Sequence, residues 1–469
     1  MSCTREAFLA WCEAAGVEMA PEVSVQPIDG AGLGLVVGAC SLASGSLVVR
    51  VPLDAAVSVA GQSREGGGIE PSLAPLVGGL DRANALALLI CVRTDAEDCG
   101  RGELGPWAAL WPEDAEGGWG ITGAINEINW WPELSQIHGE QEAAAHRAFT
   151  GTVLPAFQAS TGGQGLTSQP PTWERFKWAC SVVSSRAVAV EMWGETQPTL
   201  VPLLDLLNHR PSGEASCAIS FIHDSTGDAF VVRTTRGVAA SEELSISYGR
   251  KDNAELLAGY GFCLRDNPHD SLLLRVPMGA SAGDPMAAQR LALLPRGVGS
   301  RNHGIASAGC AGGDDGSPEW AWGSISWETG GAEDADGSEV GPPAGGAAPA
   351  RRPCISRELL LLLSVAAASS IPELFAAVTV AGDPPTAAWA LLSACCNRDL
   401  AELPSDETAC STLAPWPSLA SMAVAALEAR RALLQHAKDV AEHHASQASS
   451  AADAMQGLQL VDADALEYE

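Results

Sequence analysis

The spacing of apolar residues changes period along this chain, and the changes predict its elements. Leu47-Val-Val-Arg-Val-Pro, Asp228-Ala-Phe-Val-Val-Arg-Thr-Thr and Glu243-Leu-Ser-Ile-Ser-Tyr are short and rich in β-branched residues, and each predicts a strand. Between the first and second of these, residues 84–93, 140–157 and 173–190 place apolar side chains at helical intervals, so a helical block is expected inside a β-rich unit. Farther on, 357–368, 386–396 and 418–444 are rich in Ala and Leu with the same helical period. The C-terminal third is therefore expected to be all-helical, and the fold class to be α+β.

Composition shifts sharply between about residues 299 and 353, where Gly, Ala, Ser, Pro, Asp and Glu dominate and 302–350 hold no Lys or Arg. Such a stretch buries too little apolar area to offset its chain entropy, and it reads as a disordered acidic insertion. Trp320, Trp322 and Trp327 are at odds with that reading, since they are able to anchor a short ordered piece.

At 469 residues the chain has room for two to four compact units. The longest apolar runs, such as 359–368, fall well short of the roughly 20 residues a membrane span requires. A formal charge of −30, from 57 acidic against 27 basic side chains, repels nucleic-acid phosphates and favours basic protein surfaces. Neither a membrane nor a nucleic acid is expected as a partner. The 13 cysteines include no C-x-x-C, so no metal is expected and the thiols read as reduced and structural. The N-terminus, Met1-Ser-Cys-Thr-Arg-Glu-Ala-Phe, lacks a signal peptide's apolar core, which predicts a cytoplasmic address, or the plastid stroma if a transit segment is missing from this chain.

The chemistry starts at Gly30-Ala31-Gly32-Leu33-Gly34, where glycines let backbone amides approach a ligand. A dinucleotide-binding loop must open a helix, whereas this one runs through a turn into the strand at Leu47, so a Rossmann site is disfavoured and a plain β-turn is the competing reading. Leu200-Val-Pro-Leu-Leu-Asp205-Leu-Leu-Asn208-His209 sets an acid, an amide and an imidazole behind an apolar run. Such a pair suits the polar edge of an adenine, and it equally suits a helix end. Two of the three tyrosines of the chain fall in Ser245-Ile-Ser-Tyr248-Gly and Asn253-Ala-Glu-Leu-Leu257-Ala-Gly-Tyr260-Gly-Phe.

Taken in order, G-x-G-L, Ser185-Arg186-Ala187, L-V-P-L-x-D-x-x-N-H, and S-Y-G followed by N-A-E-L-L-x-x-Y-G-F resemble SET-domain protein methyltransferases of the RuBisCO large-subunit lysine methyltransferase class, which also contains an actin-histidine methyltransferase. The likeness covers roughly residues 5–275, and 106–112 resemble the proline-rich signature of the class's helical insert. It implies a SET domain of short-strand sheets with a pseudoknot, split into 18–65 and 196–265 by a helical insert at 66–195. A helical substrate-binding domain at 266–469, interrupted at 299–353, is expected to follow.

The resemblance also implies S-adenosyl-L-methionine as cofactor. Carried over, Ala31, Gly32 and Leu33 would meet it by backbone, with Arg186, Asn208 and His209 completing the pocket. Arg186, Asp205, Leu257 and Tyr260 would line the substrate side, and Tyr248 matches the catalytic tyrosine. The implied activity is lysine N-methylation of a non-histone protein by a monomer, because the cysteine cluster of many histone methyltransferases is missing after Phe262. Val190 stands where the RuBisCO enzyme carries a second arginine, which leaves the substrate's identity open. Leu204 stands where the histidine enzyme has a tryptophan, which favours lysine over histidine. A SET-like scaffold that binds a partner without catalysis is the reading from another class, and retention of Tyr248, Asn208 and His209 argues against it.

Overall fold

The computed structural model describes residues 2–29, 31–59, 78–94, 104–111, 128, 130–160, 170–225, 227–277, 286, 320–328, 352–355, 357–368, 370, 373, 377, 384–414 and 417–464. These fall into two compact units, one up to Cys263 and the other from Leu264 onward.

In the first unit, helix Ser2–Ala14 leads into three small sheets. One is antiparallel, in the order β1 (Glu18–Met19), β4 (Leu47–Pro52), β10 (Gly227–Thr234), β9 (Cys217–Asp224). At its centre, β10 buries Ala229 to Val232 without interruption, as a strand covered on both faces must. The second sheet runs β2 (Val23–Ile28), β3 (Gly32–Val37), β11 (Glu243–Ile246), β8 (Asn208–His209). Here β8 lies parallel to β11, with Asn208 opposite Ser245 and His209 opposite Ile246. A parallel pair needs a long crossover, and the intervening chain supplies β9 and β10 to the first sheet. The third sheet is β5 (Val57–Ser58), β7 (Glu195–Leu200), β6 (Val188–Met192).

Helices Arg82–Thr94, Gly105–Ala108, Pro132–Ala148, Leu154–Ser160 and Trp173–Arg186 lie between β5 and β6 in sequence, with a π-helical turn at Phe149–Val153. The helix expected over 173–190 stops at Arg186. Val188, Val190 and Met192 fall on one face with Ala189 and Glu191 exposed on the other, and Gly194 at φ +82° closes a hairpin, so this stretch pairs as a strand instead. One continuous core joins Phe8, Leu35, Val49, Leu88, Trp107, Phe176, Leu204 and Phe230.

The second unit holds helices Arg357–Ala367, Thr386–Glu402, Asp406–Thr412 and Pro417–Asp464. It is helical in the main but not all-helical. β12 (Ser271–Pro277), β13 (Trp320–Glu328) and β14 (Arg352–Ile355) form an antiparallel sheet with β13 in the middle. Residues 320–328 thus depart from the disordered insertion expected over 299–353, whose remaining residues outside 320–328 and 352–355 lie beyond the described ones. The sequence Trp-Ala-Trp-Gly-Ser-Ile-Ser-Trp-Glu spaces large residues two apart at Trp320 and Trp322 and, one position out of phase, at Ile325 and Trp327, and it gains a partner in β12, where Leu272, Leu274 and Val276 are buried with Ile325. Among the described residues, no helix is long and apolar enough to cross a membrane.

Candidate active site

Three segments distant in sequence meet at the β3–β11–β8 edge of the first unit. The β2–β3 turn brings in Ala31, Gly32 and Leu33, and Gly30 lies outside the described residues. The Ala31 amide donates to the Ile28 carbonyl at 3.1 Å, and Gly32 takes φ +80°, a conformation that suits glycine. Among the described residues, no atom beyond its chain neighbours lies within 4 Å of where a Gly32 Cβ would stand, so its backbone faces open space there. Gly34 is the opposite case. A Cβ there would stand 2.6 Å from Ile28 Cγ1 and 3.2 Å from Asn208 Nδ2, so only glycine lets β3 close on Asn208.

The apolar run 200–207 does not end a helix. Leu203 is 1% exposed with φ 66° and ψ −33°, a region that costs an L-residue on the order of 1–3 kcal/mol, and the chain then makes a 3-10 turn at Leu204–Leu206 before joining β8. The strained residue sits two positions before Asp205, where the turn drives the carboxylate inward.

Asp205 has a side chain with 0% exposure. Its Oδ2 accepts from the Trp107 indole Nε1 at 2.9 Å and from Arg186 Nη1 at 3.5 Å, and Arg186 also reaches the Asp205 carbonyl at 3.4 Å. Burial raises the Asp205 pKa above the ordinary carboxylate value, and the Arg186 charge and the indole donors pull it back in part. The other oxygen, Oδ1, has no hydrogen-bond partner among the described residues, and neither does Trp111 Nε1. The Trp111 indole therefore acts on the carboxylate through space, outside bonding geometry.

Asn208 donates from Nδ2 to Glu243 Oε1 at 2.7 Å. His209, buried in β8, accepts the Tyr248 amide on Nδ1 at 3.0 Å, which puts the proton of the neutral ring on Nε2. The Tyr248 hydroxyl donates to the Leu207 carbonyl at 2.8 Å. Burial raises the Tyr248 pKa, with Tyr260, Asp205 and Glu243 adding to it and Arg186 opposing, so the phenol stays protonated at neutral pH. The Tyr260 ring lies 4.7 Å from that of Tyr248, centroid to centroid, at the end of helix Asn253–Tyr260. That helix is fixed by a capping box between Asp252 and Glu255 and closed by Gly261 at φ 79°. Leu257 faces inward from it, fully buried.

The sequence reading assigned no role to three residues that the geometry brings in. Phe262 packs 6.1 Å from His209 and 6.4 Å from Tyr248. Glu243 holds the Asn208 amide, and Trp107 reaches the buried acid from the helical block. Nothing in the spacing of Trp107 predicts a bond across 98 positions. A charged cleft of about 360 Å³, lined by Arg210, Glu214, Arg236, Glu242, Glu243 and Ser245, adjoins the site through Glu243.

The fold matches solved structures over nearly its full length. The SET domain of LSMT bound to lysine and AdoHcy superposes with a TM-score of 0.63 at 17% identity, covering 94% of this chain and 92% of that one. Rubisco LSMT bound to AdoMet superposes with a TM-score of 0.58, covering 95% and 92%. This is a SET-domain fold. No protein-family profile matches the chain. In sequence, this chain is 36% identical over 121 residues to a ribosomal lysine N-methyltransferase of Schizosaccharomyces pombe, covering 24% of this chain and 22% of that protein. It is 29% identical over 127 residues to the actin-histidine N-methyltransferase of Canis lupus familiaris, covering 27% and 20%. It is 30% identical over 144 residues to a human SET domain-containing protein, covering 29% and 30%. Each of these alignments spans less than a third of either protein.

Proposed function

We propose that this chain is an S-adenosylmethionine-dependent protein methyltransferase that transfers a methyl group to a lysine of a non-histone protein. The observation that carries the reading is the double tie of Tyr248, by its amide to His209 and by its hydroxyl to the Leu207 carbonyl, beside a fully buried carboxylate. An inactive scaffold has no need to bury an acid and a protonated phenol together.

The residues fit the cofactor. The open Gly32 backbone and the close approach of Gly34 to Asn208 make a cradle that any Cβ at position 34 would fill. The backbone of Ala31, Gly32 and Leu33 would hold it, with Arg186, Asn208 and His209. When bound, S-adenosylmethionine supplies an electrophilic methyl group, which a neutral amine takes as the S–CH3 bond breaks to leave a thioether.

The protein's own task is alignment and proton management. A free lysine with pKa near 10.4 is only about one part in a few thousand neutral at pH 7, so the channel must favour the neutral amine. Removal from water beside Tyr248 and Tyr260 disfavours the charged ammonium, and the Tyr248 oxygen, held by Leu207, is fixed where it can orient the nitrogen. A protonated phenol cannot act as the base, so the amine's proton leaves by another path. Asp205 and Leu257 would complete the substrate side.

Histidine methylation is the second reading, motivated by the likeness to the actin-histidine enzyme. Leu204 is buried in the 3-10 turn before Asp205 and leaves no bulky aromatic there, which favours the longer lysine side chain. Methylation of a fractionated cell extract with labelled cofactor, followed by mass spectrometry of the labelled residue, separates the two. Label on lysine supports the proposal, and label confined to histidine replaces it.

A further inference from the structure

The contact of Asp205 with the best geometry comes from a residue that the reading above does not use. Trp107 Nε1 lies 2.9 Å from Oδ2, whereas the two Arg186 contacts are 3.4 and 3.5 Å. Trp107 is itself immobilised. It sits in helix Gly105–Ala108 with a proline starting the turn, is 0% exposed, and packs against Trp11 at 5.8 Å and Trp111 at 5.3 Å. A ring held on two sides presents its N–H in one direction at little entropic cost. Among the described residues, the charged and titratable groups that act on Asp205 are Arg186, Cys12 on the N-terminal helix, and Tyr248.

A fully buried carboxylate with one oxygen held by two donors and the other, beside the Trp111 indole, without a bonded partner among the described residues is an expensive arrangement, since an unmade buried hydrogen bond is strongly unfavourable. The strain at Leu203 points the same way, because the chain adopts a rare backbone conformation to deliver this acid.

We propose that Trp107 is a positioning residue: its indole N–H fixes the Asp205 carboxylate by Oδ2, and with it the hold of that acid on the target amine. The amine rests on the methyltransferase reading, and the fixing of Asp205 does not. The inserted helical block is thereby part of the substrate site, linked to it by Trp107 from one of its helices and by Arg186 from another.

The test compares wild type with Trp107→Phe, which keeps an aromatic ring and removes the donor. With carbon-13-labelled aspartate, the Asp205 carboxyl resonance, assigned by its loss in Asp205→Asn, is titrated by NMR. Its midpoint is expected to move up in Trp107→Phe, because a donor to the anion is gone, and an equal midpoint in both proteins overturns the proposal. Affinity for L-lysine, measured with S-adenosylhomocysteine bound, is expected to weaken about tenfold, which is about 1.4 kcal/mol. The double variant with Asp205→Asn is expected to bind no more weakly than Asp205→Asn alone, and additive losses count against positioning. If wild type takes up no L-lysine while the midpoint still moves, the amine-substrate reading fails and the positioning of Asp205 stands. Should Trp107→Phe not fold, the Trp107 indole N–H resonance is expected to shift with pH in wild type and to stay constant in Asp205→Asn. An indole resonance that ignores pH in wild type also overturns the proposal.

Discussion

Tyr248 and His209 are joined twice, by the Tyr248 amide to Nδ1 at 3.0 Å and by rings 5.1 Å apart, so that the imidazole is held by the tyrosine's backbone and ring together. The histidine follows Asn208 directly in β8, and the tyrosine follows β11 by two residues, so a two-residue parallel pairing sets the register of the whole site.

Tyr248→Phe separates chemistry from binding. It removes only the hydroxyl that Leu207 holds, and the amide tie to His209 remains. Turnover is expected to fall by roughly two or more orders of magnitude, the usual effect of losing one oriented group worth about 3 kcal/mol in the transition state. Calorimetric titration with S-adenosylhomocysteine should give an affinity within a few-fold of wild type.

Asn208→Ala is expected to fail in the opposite sense. Truncation leaves Glu243 without its 2.7 Å partner and removes the amide from the proposed cofactor cradle. Losing the amide's hydrogen bond to a carboxylate and its place against the cofactor costs on the order of 1–3 kcal/mol, so S-adenosylhomocysteine affinity should drop about ten- to a hundredfold in a folded protein.

Gly34→Ala tests the same cradle by addition. The new methyl would meet Ile28 Cγ1 at 2.6 Å, a distance side chains do not tolerate, and would crowd Asn208 at 3.2 Å. Both a lower thermal midpoint and weaker S-adenosylhomocysteine binding are expected, with overpacking costing about 1–3 kcal/mol. Gly32→Ala, with nothing among the described residues within 4 Å, should lower the thermal midpoint only by the penalty of its positive φ.

The sequence made the motifs legible because their chemistry is local: Asn208-His209, Tyr248 and Tyr260 carry identifiable side chains at fixed offsets. Strands such as Leu47–Pro52 and helices such as Arg82–Thr94 likewise announced themselves by period. What could not be read was context. Val188–Met192 continues a helical pattern until a hairpin partner, β7, claims it, and Trp320–Glu328 is a strand only because Ser271–Pro277 offers an edge. The Trp107 bond to Asp205 is tertiary in the same sense, since no one-dimensional pattern couples an indole to an acid in another segment.

Asp205→Asn should trade function for stability. Folding raises the Asp205 pKa above its ordinary 3.8, so the native state favours the protonated form and ionisation weighs against it. That contribution is present in full below about pH 4 and is lost as pH rises through the folded value. The variant should therefore match wild type in thermal midpoint at low pH and exceed it increasingly toward neutrality, while losing activity. A midpoint lower than wild type at pH 7 would mean that the Arg186 and Trp107 contacts outweigh the burial of the charge.

The central claim is lysine methylation at the Tyr248 centre, and one measurement meets it most directly. Purified protein and its Tyr248→Phe variant are each incubated with methyl-labelled S-adenosylmethionine and a fractionated cell extract, and labelled proteins are mapped by mass spectrometry. The account predicts label on a lysine side-chain nitrogen of a defined protein, reduced by about two orders of magnitude or more in the variant. Wild-type protein that binds the cofactor yet labels nothing, or a Tyr248→Phe variant that labels as fast as wild type, would contradict it.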